Sequence, residues 1–186
     1  FLNEELDLMF AVPTEFANQA MPNNRLAANL QRRGIGMAQV PGLDLTFDYF
    51  NMEDPVVGGY TPEKVALRRA IVMGFNVREL IDVWFQGQAM EANQPIPPVV
   101  SGHVGGDVGG AVPHDPKLAM QLLDRFGYRD RDGDGYREMP DGRPLAVEKA
   151  STPNATDRAS DELWKKSMDA IGVRMDVHKD KFPELL

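Results

Sequence analysis

The sequence contains no cysteine, which excludes disulfide frameworks, thiol nucleophiles and thiolate metal sites. Histidine is scarce. His103, His114 and His178 stand far apart, and neither an H-E-x-x-H pair nor a G-x-S-x-G elbow occurs. No glycine-rich stretch completes a P-loop, and Gly102 to Gly110 lacks the G-x-G spacing of a dinucleotide fingerprint. With no nucleophile, base and orienting group to assemble, the expectation is a protein without catalytic residues. Basic residues are also in deficit, 20 against 28 acidic ones for a net charge of -8, so the basic stripe that nucleic acid requires is missing. No apolar run reaches the ~18 residues of a membrane span. The opening Phe1-Leu2-Asn3-Glu4-Glu5 lacks the charged-then-apolar pattern of an export signal, and the chain reads as a piece of a longer protein.

What is present suits one domain: 186 residues, 42% of them hydrophobic, enough for a single lobe with a core spanning 1–186. Leu6 to Phe10 is a short apolar run closed by Pro13, and Asn24 to Arg33 reads as a short helix stopped by Gly34. Leu43, Leu45, Phe47 and Tyr49 alternate with Asp44, Thr46 and Asp48, the period-two pattern of a strand with one buried face. Thr61-Pro62 opens a helix whose inner stripe is Leu67, Ala70, Ile71 and Gly74. Asn76 caps a second, with Val77, Leu80, Ile81 and Trp84 on one side and Gly87 as its stop.

Residues 93–114 form a long loop rich in proline and glycine, unable to continue a helix or pair as a central strand. Asp115-Pro116 then opens a helix with Ala119, Leu122, Leu123 and Phe126 inward and Gly127 as its stop. A strand over 145–150, a helix over 157–170 with Trp164, Met168 and Ile171 inward, and a strand through Val173, Met175 and Val177 complete an α/β pattern. The two tryptophans, Trp84 and Trp164, fall on apolar stripes and are expected in the core.

Two sets of residues are candidate sites. Tyr49, Phe50, Asn51 and Met52 sit where the alternating strand runs out, and strand ends in open α/β sheets face ligand crevices. Asp130, Asp132, Asp134, Tyr136 (through its carbonyl), Glu138 and Asp141 follow the spacing of a calcium loop, with Gly135 at its turn. Asp in place of Glu at the last position shortens the reach. The same composition also builds a plain Asx-rich turn, so both readings stay open.

Several segments together resemble one family. Leu67-Arg68-Arg69-Ala70-Ile71 followed by Phe75-Asn76, with Gly87 and then Pro95-Ile96-Pro97, are similar in order and spacing to a helix and loop of the bacterial extracellular solute-binding proteins, family 5. So is the run from His114-Asp115-Pro116 through Phe126-Gly127-Tyr128, and so are the Asp132-Gly133-Asp134-Gly135 turn and the Trp164 to Val173 helix-to-strand junction. Asn76 for the family's Asp, Met168 for its Leu, and the glycine-rich 101–111 are departures.

The resemblance implies one lobe of a two-lobed, periplasmic-binding-protein-like fold (type II, cluster C), a mixed sheet flanked by helices. It further implies a non-catalytic subunit of an ABC importer, exported to the periplasm or another extracytoplasmic space. Such a subunit captures a peptide or similar small solute by hinge closure against its other lobe and docks on a membrane permease. No cofactor is required, and calcium enters only as the candidate ion of the acidic loop. The competing reading is a calcium-stiffened structural or interaction domain of a cell-surface protein.

Overall fold

The computed structural model describes residues 2–3, 5–106 and 112–181. Helix α1 (Thr14–Ala20) and a 3-10 turn over Pro22–Asn24 lead to the short helix α2 (Ala28–Gln31). The expected helix over 24–33 is therefore shorter. Asn23 and Asn24 adopt left-handed backbone, with φ of 53° and 58°, which breaks the helix before Ala28. Helix α1 went unread in the sequence, because it is too short for its apolar spacing to register.

From residue 35 to 61 the chain is extended or turning, and the expected strand through Leu43 and Tyr49 is not one. Among the described residues no neighbour pairs with it, and Phe47 and Tyr49 are exposed. Alternation is a local property; a ladder also needs a partner's N–H and C=O groups. The stretch ends in a tight turn in which Asp54 accepts from the Val56 and Val57 N–H groups, at 2.7 and 2.8 Å. Gly58 is obligatory here: a Cβ on it would lie 2.4 Å from the Met52 carbonyl oxygen and 2.5 Å from that of Asp54. Gly58→Ala is expected to destabilise by about 1–3 kcal/mol, since backbone rather than a side chain must yield; urea denaturation checks it.

The remaining helices start where their sequence signals place them, although α4 ends at Val83, short of Gly87, and none of its stripe is fully buried. Helix α3 (Pro62–Gly74) starts on a first-turn proline, and its Leu67, Ala70, Ile71 and Gly74 are buried. Helix α4 (Val77–Val83) is capped by Asn76, whose side chain accepts from the Glu79 N–H. Helix α5 (Pro116–Arg125) is capped in the same way by Asp115, which accepts from Leu118. Its start is pinned to the end of α3 by the Asp115 N–H on the Met73 carbonyl and by a 3.1 Å bond between His114 Nδ1 and the Phe75 carbonyl.

Strand β1 (Ala146–Ser151) and strand β2 (Arg174–Lys179) pair in parallel, Ala146 opposite Arg174 and Ser151 opposite Lys179. Helix α6 (Ala155–Asp169) makes the crossover that parallel pairing requires. Isolated antiparallel bridges at Arg129–Glu138 and Glu138–Pro144 add the mixed character.

Helices α3 and α5 pack together, α6 covers β2, and the core gathers Leu67, Ile71, Leu123, Tyr128, Leu145, Met168, Ile171 and Val173. A Cβ on Gly74 would stand 2.9 Å from Ile171 Cδ1, so glycine lets α3 approach the end of α6. Arg137 fastens the far side. Its Nε donates to the Ile171 carbonyl at 2.8 Å and its Nη1 to the Tyr128 carbonyl at 2.7 Å, satisfying chain that leaves α6 and α5, while it pairs with Asp124.

Candidate solute cleft

A concavity of about 1900 Å³ opens between the N-terminal segment, residues 35–49, α4, the 87–98 stretch and the C-terminal end of β1. Strand ends are where open α/β sheets leave a crevice, because the helices step away from the sheet there. Its floor is the end of β1 (Lys149, Ala150, Ser151, Thr152) with Trp164 of α6. Phe75 stacks on Trp164 with ring centroids 3.8 Å apart and planes 12° apart. Trp164 Nε1 is buried without a hydrogen-bond partner.

Side-chain bonds hold the N-terminal wall to the α4 end. Asn18 donates to Gln86 at 2.9 Å, Asn24 to the Gly87 carbonyl at 3.0 Å, and Gln88 to the Val12 carbonyl. Gly87 has φ +75°, and a Cβ there would meet the Asn24 amide at 2.7 Å. The described part of the 93–114 loop folds back on itself: Gln94 bonds Val104 through both ends of its amide, and His103 Nδ1 meets the Ile96 carbonyl at 2.8 Å. Residues 107–111 lie outside the described residues.

Behind the floor is a polar cluster that the sequence reading missed. Asp161, 6% exposed, accepts from Ser151 Oγ at 2.8 Å and pairs with Lys149 at 3.0 Å and Lys179 at 3.2 Å. Burial opposes its charge, but the hydrogen bonds from Ser151 and Lys149 outweigh it and hold the carboxyl below the usual range. Its one sequence signal was a charged residue on the inward side of α6. Asp48 shows the opposite shift: burial pushes its carboxyl up, and Lys149 offsets only part of that. Asp48 lies close enough to Trp164 to feel the indole N–H, yet outside hydrogen-bond geometry.

Of the residues singled out at the strand end, Tyr49 lines the cleft. Phe50 turns inward onto the core, Asn51 accepts from the Glu53 N–H, and the Met52 carbonyl accepts from Gly59, so these three build the turn beside the cleft. Trp84, expected in the core, is half-buried and lines the cleft instead, because α4 ends at Val83 and leaves it at the rim.

The acidic loop comes together in part. One carboxylate oxygen from each of Asp130, Asp132, Asp134 and Glu138 lies within 4.8 Å of the others. Asp130 accepts from Gly133 and Gly135, Asp132 from Asp134, Asp134 from Tyr136, and Glu138 from Arg131, all backbone N–H donors. Arg174 pairs with Asp134 at 2.7 Å and lies over the Tyr136 ring. Asp141, expected at the last ligand position, stands outside the group and pairs with Arg143, because the chain turns at Gly142 before it can reach back.

Residues 1–184 match the family described as bacterial extracellular solute-binding proteins, family 5 Middle. The chain belongs to this family. The match to family 5 extends through sequence relatives: the chain is 30% identical over 121 residues to di/tripeptide-binding protein 2 of Pseudomonas aeruginosa. It is 32% identical over 123 residues to the oligopeptide-binding protein OppA of Lactococcus lactis subsp. cremoris. These alignments cover 64% and 63% of this chain but 20% of each relative, so the chain spans about a fifth of their length.

Among solved structures, Bacillus subtilis AppA in complex with a nonapeptide superposes with a TM-score of 0.64 at 17% identity, covering 73% of this chain and 26% of that one. Lactococcal OppA, in its closed conformation with an endogenous peptide, gives 0.59 at 26% identity, covering 68% and 24%. The shared fold is that of the type II periplasmic binding proteins, in agreement with the α/β reading. Family 5 is a family of non-catalytic binding proteins that need no cofactor.

Proposed function

We propose that this chain supplies one wall of the solute cleft of an extracytoplasmic binding protein that feeds an ABC importer, with a peptide or similar small solute as cargo. The observation that carries the reading is the wide, largely apolar cleft at the end of β1, in a chain of family 5. A second lobe of the same protein closes over the solute, and the closed form docks on a membrane permease. Affinity then depends on both walls and on the open-to-closed equilibrium. Placement outside the cytoplasm follows from that role.

Native mass spectrometry of the full-length protein is expected to reveal co-purifying peptide, and calorimetry to show the 186-residue chain binding the same peptide far more weakly. A full-length protein that stays empty and binds no peptide would count against the reading. A second, structural reading concerns the acidic loop and is carried by its four converging carboxylates. Calcium there stiffens the turn and takes no part in capture. Millimolar calcium added to chelator-treated protein then raises the melting temperature; no change leaves the loop as an Asx turn.

A further inference from the structure

The charges that line the cleft are one-sided. Among the described residues Lys149 is the single Lys or Arg of the lining, and it is paired at 3.0 Å with Asp161 behind it, a carboxylate that it shares with Lys179. Against it stand Asp44, Asp48, Asp157 and Glu91. Glu91 is paired with Arg78 at 2.7 Å. Among the described residues the Asp157 carboxylate accepts only from the neutral Thr152 and Asn154 side chains, while its own backbone N–H donates to Asn154 Oδ1. Among the described residues, no Lys or Arg lies in ion-pair distance of Asp44, Asp48 or Asp157.

An apolar-walled concavity lined by charge of one sign focuses its field inward, so these carboxylates act together on whatever enters. Resting on the reading of this concavity as the solute cleft, we infer that it selects cationic, apolar-rich peptides and disfavours acidic ones. Apolar side chains of the peptide lie against Phe47, Tyr49 and Trp84. A basic side chain or free amine pairs with Asp48, an exposed carboxylate of the lining with no Lys or Arg in ion-pair distance among the described residues.

The test is calorimetry on the full-length protein with three pentapeptides of equal shape: Ala-Lys-Phe-Lys-Ala, Ala-Gln-Phe-Gln-Ala and Ala-Glu-Phe-Glu-Ala. The lysine peptide is expected to bind about tenfold or more tighter than the glutamate peptide at low ionic strength, with the gap narrowing as salt screens the lining. In the Asp44→Asn, Asp48→Asn double variant the ratio between these two peptides shrinks severalfold. Circular dichroism confirms that the variant is folded. Equal affinities, or a preference for the glutamate peptide, overturn the charge selection and leave the peptide-binding reading standing. Binding of none of the three overturns both.

Discussion

Replacing Asp161 with alanine is expected to cost about 3–5 kcal/mol of stability, the range for removing one partner of a buried ion pair. The carboxylate is enclosed by Ser151, Lys149 and Lys179. Without it, Lys149, whose side chain is 16% exposed, loses the carboxylate paired with it in the floor of the cleft. Urea denaturation at neutral pH measures the loss; a cost below about 1 kcal/mol would place the cluster with ordinary surface pairs.

The pH dependence gives a second readout. The folded-state carboxyl of Asp161 titrates below its usual range, so its contribution is full above the unfolded value of about 3.9 and is lost as pH falls through the folded one. Asp161→Asn removes that acid-side loss. Asp48, raised by burial, has the reverse sign: its charged form opposes folding at neutral pH, and the opposition is relieved as pH falls through its folded value.

Tyr128→Ala is expected to destabilise by about 3–5 kcal/mol, as for other large aromatic truncations in a core. Tyr128 is fully buried between α3 and α5, just past the Gly127 stop, and its hydroxyl donates to the Glu63 carbonyl at 3.1 Å. Tyr128→Phe separates packing from polarity and should cost about 1 kcal/mol, the value of one hydrogen bond. Burial, helped by the charges of Glu63 and Asp141, pushes the phenol up to about 12. A raised folded value means stability is intact below the unfolded value near 10 and declines as pH rises toward about 12. Denaturation curves collected across that range should show the decline in the natural chain and a smaller one in Tyr128→Phe.

The parts of the fold legible in the sequence were those whose cause is local. Asn76 and Asp115 announce helix starts because a cap bonds an N–H two or three residues on, and Gly127 and Gly172 announce stops because each sits at positive φ. The stripes of α3, α5 and α6 were readable because an inner face repeats within a few residues. Failures occurred where the deciding partner is remote. Residues 43–49 alternate like a strand, but no described segment completes a ladder with them. Asn24 looked like helix and instead reaches across to Gly87. Asp141 fits the spacing of a calcium loop and is taken by Arg143.

The sequence by itself determined the α/β pattern, the family resemblance and the absence of cysteine, all of which depend on residue type and short-range spacing. Only the tertiary structure decided which charges face the cleft and which are already neutralised. Lys149 and Asp161 are separated by twelve positions, yet the crossover from β1 to α6 sets them 3.0 Å apart. Asp48, a hundred positions upstream, arrives in the same lining, where the Lys149 charge acts on it without forming an ion pair. Electrostatic energy depends on distance through space and on exclusion of water, and the order of residues along the chain specifies neither until the chain is folded.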